Sequence, residues 1–143
     1  METVRGCAEV WELRCARAGV RFHAAYPPHP VLVHADARRL RQVLDGLAEN
    51  ALRVTPAGAP IALSVDAAGV LQVRDGGPGL APEDYAMAFE RGALHTKYRG
   101  RRPVGSGIGL ALAHGLVTRM GGTITAGPAP EGGAAFTIRL SSR

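Results

Sequence analysis

A chain of 143 residues with 46% apolar and 20% charged side chains and a net charge of +5 has the make-up of one globular domain, which excludes a largely disordered or collagen-like polypeptide. No apolar run approaches the roughly 20 residues that cross a bilayer, and the opening Met1-Glu2-Thr3-Val4-Arg5-Gly6 lacks the apolar core of a secretion signal, so a soluble, cytoplasmic chain is expected. The basic balance suits nucleic acid, an anionic surface or a polyanionic small molecule, and does not choose among them.

Between Glu2 and Ala18 the residues Val4, Cys7, Ala8, Trp11, Cys15 and Ala18 recur at intervals of three and four, which predicts a helix with one buried face, ended by Gly19, whose role is to cover a sheet. Cys7 and Cys15, the only cysteines, then lie about 12 Å apart along the axis, too far to bridge. Val20 to Ala25 and Val31 to His34 read as short strands separated by a proline-rich break. Asp36 is placed to cap a helix from Ala37 to Val54 with the apolar face Leu40, Val43, Leu44, Leu47 and Ala51. Asn50, Gly46 and Arg53 share a strip beside that face, and Thr55-Pro56 stops the helix.

Ile61 to Val65 and Val70 to Val73 read as a hairpin around Asp66 to Gly69, the second strand delivering Asp75 to the sheet edge. Pro82 to Tyr85 reads as a helix start, with Met87, Ala88 and Phe89 anchoring a short turn. Residues 95–102 then form a basic stretch of almost no apolar content, within a long irregular segment over 92–106 expected to be a mobile lid or binding loop. A third helix is expected from Ile108 to Met120, its apolar face set by Leu112, Leu116 and Met120 with Ala113 and Val117. Thr123 to Ala126 and Ala135 to Leu140 close the chain as an antiparallel pair.

The chemistry-bearing stretch is Gly105-Ser106-Gly107-Ile108-Gly109-Leu110, where alternate glycines let the backbone approach a ligand and a helix start offers free N–H groups to phosphate. It is not a P-loop, because the only lysine is Lys97, nor a dinucleotide fingerprint, because Leu110 stands where a glycine is needed. Asn50 can offer an amide oxygen to Mg²⁺, Arg53 a cation one turn on, and Asp75 an acceptor for an exocyclic base amine. Each alone has an ordinary structural reading; their order along the chain is what points to a nucleotide.

That order resembles the catalytic ATP-binding domain of bacterial sensor histidine kinases, within the ATPase superfamily shared with gyrase, a mismatch-repair ATPase and a heat-shock chaperone. Residues 42–56 look like the N box, Asp75-Gly76-Gly77-Pro78-Gly79-Leu80 like the first glycine box, Ala88-Phe89-Glu90-Arg91 like the F box, and residues 105–110 like the second glycine box, so the resemblance covers residues 1–143. It implies an α/β two-layer sandwich, a mixed and mostly antiparallel sheet covered on one face by three helices, with a flexible ATP lid. It further implies that Asn50 holds Mg²⁺, that Arg53 touches phosphate, and that Asp75 binds the adenine amine beside Gly77 and Gly79. By the same resemblance Lys97, Gly105, Ser106, Gly107, Ile108, Gly109 and Leu110 complete the nucleotide site, with Glu49 beside Asn50 orienting the attacking group.

The γ-phosphoryl group is then expected to pass to a histidine on a separate dimerisation domain, in cis in a longer chain or in trans, with a response regulator downstream. None of His23, His29, His34, His95 and His114 is followed by an acidic residue as the family's phosphoacceptor usually is, so none is expected to be phosphorylated. The chain departs from the family where Gly46 replaces an asparagine and Val54 an aromatic, removing one polar contact and one adenine-facing surface. No nucleic acid partner is expected, and the parent protein is a candidate for membrane anchoring, with this chain its cytosolic part. The competing readings are a stand-alone serine kinase that inhibits a sigma factor, and a non-catalytic nucleotide- or nucleic-acid-binding module using Lys97, Arg99, Arg101 and Arg102.

Overall fold

The computed structural model describes residues 2–28, 36–89 and 108–140. The expected strand at Val31 to His34 and the basic segment over 92–106 lie outside them. The described residues form α1 (Glu2–Arg17), β1 (Arg21–Ala25), α2 (Ala37–Val54), β2 (Pro60–Val65), β3 (Val70–Asp75), a 3₁₀ turn (Pro82–Met87), α3 (Ile108–Arg119), β4 (Thr123–Pro128) and β5 (Ala134–Arg139). The strands make one sheet in the order β1-β2-β3-β5-β4. β1 runs parallel to β2 and every other neighbour is antiparallel. Three helices and this open mixed sheet make the two-layer sandwich the sequence implies.

The helix α2 forms where its signals are strongest. Asp36 accepts hydrogen bonds from the backbone N–H groups of Arg38 (2.9 Å) and Arg39 (3.2 Å), filling two of the donors that a helix start leaves unpaired. Leu40, Val43, Leu44, Leu47, Ala48 and Ala51 are buried along one face, and at the far end the Thr55 hydroxyl donates to the Ala51 carbonyl at 2.7 Å. The face meets Ile61, Leu63 and Val65 of β2 and Leu71 and Val73 of β3, which alternate inward with the two-residue period of a strand.

The first helix does more than cover the sheet. It packs on β1 and also on α2, where Asp45 gathers three donors: the Trp11 indole N–H at 2.8 Å, the Arg41 Nε at 3.2 Å and the Cys7 thiol at 3.5 Å. Burial, with the Asp45 carboxylate beside it, pushes the Cys7 thiol up to about 12, so it stays protonated. Both cysteines are free and buried. Ala18, expected on the apolar face, is exposed because the helix ends at Arg17; the Val20 and Gly19 N–H groups turn back to the Cys15 and Ala16 carbonyls and close the end. Because Trp11 is only 2% exposed, Asp45→Ala strands its N–H in the core, and we expect a loss of about 1–2 kcal/mol in stability, read by the fluorescence of this single tryptophan during urea unfolding.

Three further expectations are refined. The helix α3 buries Leu110, Ala113, Leu116 and Val117, while Leu112 is 49% exposed. Residues 110–113 are all apolar, so sequence spacing leaves the inward face ambiguous, and packing against α2 selects Leu110 and Ala113. Pro82 begins a short 3₁₀ helix, after which Phe89 stacks on His114 of α3 at 5.3 Å and meets Phe136 of β5 edge-on at 6.0 Å. Asp75 ends β3, the middle strand of the five, so it lies at the end of the sheet's centre and not along an edge strand.

Candidate functional site

The alternation that buries Leu71 and Val73 places Asp75 in the same phase, on the helix side of the sheet, where it is 1% exposed. A carboxylate there needs partners, and the backbone supplies them. The Gly77 N–H donates to Asp75 Oδ1 at 3.0 Å and the Ala134 N–H to the same oxygen at 3.3 Å, while the Gly133 N–H donates to the Asp75 carbonyl at 3.1 Å. Burial raises the Asp75 carboxyl above its usual range, the two backbone donors pull it down, and Glu131 nearby adds to the rise. Among the described residues, both donors to the carboxylate fall on Oδ1.

The glycines around Asp75 are there for space. A Cβ on Gly77 would meet the Val54 carbonyl oxygen at 2.6 Å, closer than side-chain carbons come, so the turn after β3 presses on the last turn of α2. Gly79 takes a positive φ of 69°, and a Cβ there would meet the Gly132 carbonyl at 3.2 Å and the Tyr85 hydroxyl at 3.3 Å. A Cβ on Gly133 would overlap the Asp75 carboxylate and lie 2.8 Å from the Gly77 nitrogen. The end of α2, the end of β3, the glycine turn and the β4–β5 turn therefore converge at one place. Tyr85 fixes the turn's exit by accepting the Leu80 N–H at 3.2 Å.

Asn50 is half-buried one helical turn before Val54, and so stands on α2 above the contact with Gly77. Glu49 and Arg53 form an exposed pair at 3.1 Å, with side chains 52% and 56% open to solvent. Such a pair contributes about 0.3–0.5 kcal/mol and yields readily to a stronger anion. Lys97, Gly105, Ser106 and Gly107 lie outside the described residues. Ile108 and Gly109 open α3, and Leu110 is 4% exposed in the core. The structure thus brings Asp75, Gly77 and Gly79 together next to the end of α2 that carries Asn50.

Gly133, Ala134 and Tyr85 belong to this site and are absent from the sequence-derived set. The pair Gly132-Gly133 just before β5 is the one sequence feature that marks them, and it reads there as a hairpin loop. Among the described residues no cluster of three or more His, Cys, Asp or Glu is placed to hold a metal ion. Mg²⁺ commonly keeps several waters and rides on a ligand's phosphates, which asks for few protein ligands. Asn50 suits that arrangement as a single neutral oxygen donor.

Residues 35–143 match the family of histidine kinase-, DNA gyrase B- and HSP90-like ATPases. The signal transduction histidine-protein kinase AfsQ2 of Streptomyces coelicolor is 43% identical over 113 residues, which is 76% of this chain and 21% of that protein. The solved structure of the mycobacterial sensor histidine kinase MprB superposes with a TM-score of 0.78 at 26% identity, covering 99% of this chain and 93% of that one. Full-length ShkA in complex with AMPPNP superposes with a TM-score of 0.81 at 30% identity, covering 99% of this chain and 30% of that one.

Proposed function

Given that the chain belongs to the histidine kinase-, DNA gyrase B- and HSP90-like ATPase family, we propose that it binds Mg²⁺-ATP as the catalytic part of a two-component sensor histidine kinase. The observation that carries this reading is Asp75: a 1%-exposed carboxylate at the end of a central strand, held through Oδ1 by two backbone donors at the place where four segments converge. A buried carboxylate that destabilises its own fold is the kind of group retained for a ligand. The relatives named above support the histidine kinase reading over a stand-alone serine kinase. The residues that would support nucleic-acid binding, Lys97, Arg99, Arg101 and Arg102, lie outside the described set.

Within this reading Asp75 accepts a hydrogen bond from the exocyclic amine of adenine, with Oδ1 held by Gly77 and Ala134 so that Oδ2 faces the base. Gly77 and Gly79 keep side chains out of the base's way. Asn50 supplies the protein oxygen for Mg²⁺, and the metal's contribution is to offset charge on the β- and γ-phosphates. Arg53 leaves Glu49 to approach phosphate, which frees the Glu49 carboxylate to orient the attacking group. Lys97 and residues 105–110 complete the phosphate side. The phosphoacceptor histidine belongs to a dimerisation domain in the same longer protein or in a partner, and a response regulator follows it. No helix among the described residues is long and apolar enough to cross a membrane; we place the chain on the cytoplasmic side of a parent that other segments anchor.

Titration with a fluorescent ATP analogue, with and without Mg²⁺, tests the reading. Saturable binding that Mg²⁺ strengthens is expected. In Asn50→Ala the metal-free affinity stays while the gain from Mg²⁺ falls about tenfold, the scale of one charge-assisted contact. An absence of saturable binding, or an unchanged Mg²⁺ response in Asn50→Ala, contradicts it. Phosphate transferred to a relative's dimerisation domain is expected to be acid-labile, as phosphohistidine is; acid-stable label on serine would favour the serine kinase.

A further inference from the structure

We propose that Arg74 and Glu131 act as a clasp across the helix-free face of the sheet that positions Asp75 on the other face. Arg74 is the chain neighbour of Asp75, so strand alternation sends its side chain to the opposite side. There its Nε donates to Glu131 Oε1 at 3.1 Å and Oε2 at 3.2 Å, and its Nη1 donates to Gln72 Oε1 at 2.9 Å and Ser64 Oγ at 3.4 Å. Gln72 in turn donates to Thr137 Oγ1 at 3.0 Å. The two clasp side chains are 24% and 19% exposed, so this pair is better shielded from water than the Glu49–Arg53 pair on α2.

What the clasp holds is the β4–β5 turn. Of Pro128, Ala129, Pro130, Glu131, Gly132 and Gly133, Glu131 alone has a polar side chain, so no other residue of the turn can tie it to the sheet by a side-chain hydrogen bond. The turn is closed on itself by Ala129 N–H to the Gly133 carbonyl at 2.8 Å, and its last residues are the donors that grip Asp75. Arg74 thus fixes the turn on one face, while Ala134 holds the Asp75 carboxylate on the other and Gly133 holds the Asp75 backbone carbonyl. Neither residue touches the ligand in this scheme; both are positioning residues. Their importance for nucleotide rests on the reading of Asp75 given above.

Among the described residues, the elements packed around Asp75 carry Glu131 in the turn, Arg74 on β3, Arg139 on β5, Arg38, Arg39, Arg41, Asp45 and the Glu49–Arg53 pair on α2, and Glu83, Asp84 and Tyr85 in the 3₁₀ segment. Among these, Glu131 is the charge that raises the Asp75 carboxyl. Glu131 therefore acts on Asp75 directly, and Arg74 acts on it through Glu131 and through the turn that Glu131 ties down. Arg74→Met removes the guanidinium that offsets Glu131 and frees the turn that brings the Ala134 N–H, both of which disfavour the carboxylate. Glu131→Gln removes the like charge and keeps an oxygen for Arg74 Nε.

Carboxyl-carbon NMR titration of Asp75 in the nucleotide-free chain decides the matter. The midpoint is expected to move to higher pH in Arg74→Met and to lower pH in Glu131→Gln, a divergence that loss of general stability does not produce. At neutral pH the affinity for the fluorescent ATP analogue is expected to fall about tenfold in Arg74→Met, the worth of one lost hydrogen bond, and to stay within about twofold in Glu131→Gln. Midpoints that stay put, or that move in the same direction in both variants, overturn the clasp. Diverging midpoints with nucleotide affinity unchanged in both, and also in Asp75→Asn, uphold the clasp and overturn the adenine reading instead.

Discussion

Asp75→Asn is expected to abolish saturable binding of an ATP analogue while leaving the thermal midpoint of the nucleotide-free chain unchanged or higher. The amide oxygen of Asn can take the Oδ1 position and accept from the Gly77 and Ala134 N–H groups as before. Its NH₂ then occupies the Oδ2 position and meets the adenine amine donor to donor, so the directional contact becomes a repulsion. The stability side follows from proton linkage. Burial raises the folded carboxyl above its unfolded value, so the folded chain binds this proton more tightly than the unfolded chain does. The stabilisation from this group is full below the ordinary carboxylate range and is lost as pH rises through the folded pKa. At neutral pH the ionised Asp75 is thus a burden on the fold, which Asn, having no charge to bury, does not carry.

The same linkage predicts that nucleotide affinity declines on acidification from a higher pH than an ordinary aspartate would set. Asp75→Ala should behave differently from Asp75→Asn. It leaves the Gly77 and Ala134 N–H groups without their acceptor and is expected to cost about 1–3 kcal/mol of stability. Calorimetric melting of the three proteins, with isothermal titration of the analogue, separates loss of the base contact from loss of the fold. An Asp75→Asn chain that keeps its affinity contradicts the assignment.

Gly133→Ala is the second large effect. Gly133 does not have a positive φ, so its backbone suits alanine, and the difficulty is space alone: the new methyl group would occupy the position of the Asp75 carboxylate and crowd the Gly77 nitrogen at 2.8 Å. Either the start of β5 or the carboxylate must move. We expect about 1–3 kcal/mol of destabilisation, as for other overpacked sites, and a loss of about 100-fold in nucleotide affinity, the scale at which a roughly 1 Å displacement acts on an aligned site. The neighbouring Gly132→Ala is the control. Gly132 has a φ of 103° and nothing within 4 Å of where a methyl group would lie, so alanine there strains the turn without entering the site. It should cost about 1–3 kcal/mol in stability and leave affinity largely intact.

The parts of this molecule legible in its sequence are those whose signals are local. The bounds of α2 follow from Asp36, an unbroken apolar stripe and Thr55-Pro56, all within one segment. The β2–β3 hairpin follows from Asp66, whose carboxylate accepts the Ala68 and Val70 N–H groups at 2.9 and 3.0 Å. The candidate nucleotide residues are legible as an ordered set of motifs, and Asp75 as a strand end before glycines. Its burial is implicit in the alternation Leu71, Val73, Asp75, which a turn-like Asp-Gly-Gly obscures.

What the sequence hides depends on partners far along the chain. Ala134 meets Asp75 across 59 residues, Arg74 meets Glu131 across 57, and Trp11 meets Asp45 across 34. Nothing within a helical or strand period announces such pairs, because register between distant strands and the docking of one helix on another decide them. The inward face of α3 is hidden for another reason: with apolar residues at four consecutive positions, only packing tells Leu110 from Leu112. Arg53 shows the converse. Its bond to Glu49 is a local i, i+4 contact, legible by spacing, yet too weak to oppose a phosphate.

The central claim is that one nucleotide touches α2, the end of β3 and the β4–β5 turn together. It is tested most directly by amide NMR of the ¹⁵N-labelled chain titrated with a non-hydrolysable ATP analogue and Mg²⁺. The backbone signals of Gly77, Gly79, Gly133 and Ala134 and the side-chain amide of Asn50 should shift along a single saturation curve. Saturable shifts confined to other parts of the chain, with these five signals unmoved, would contradict it.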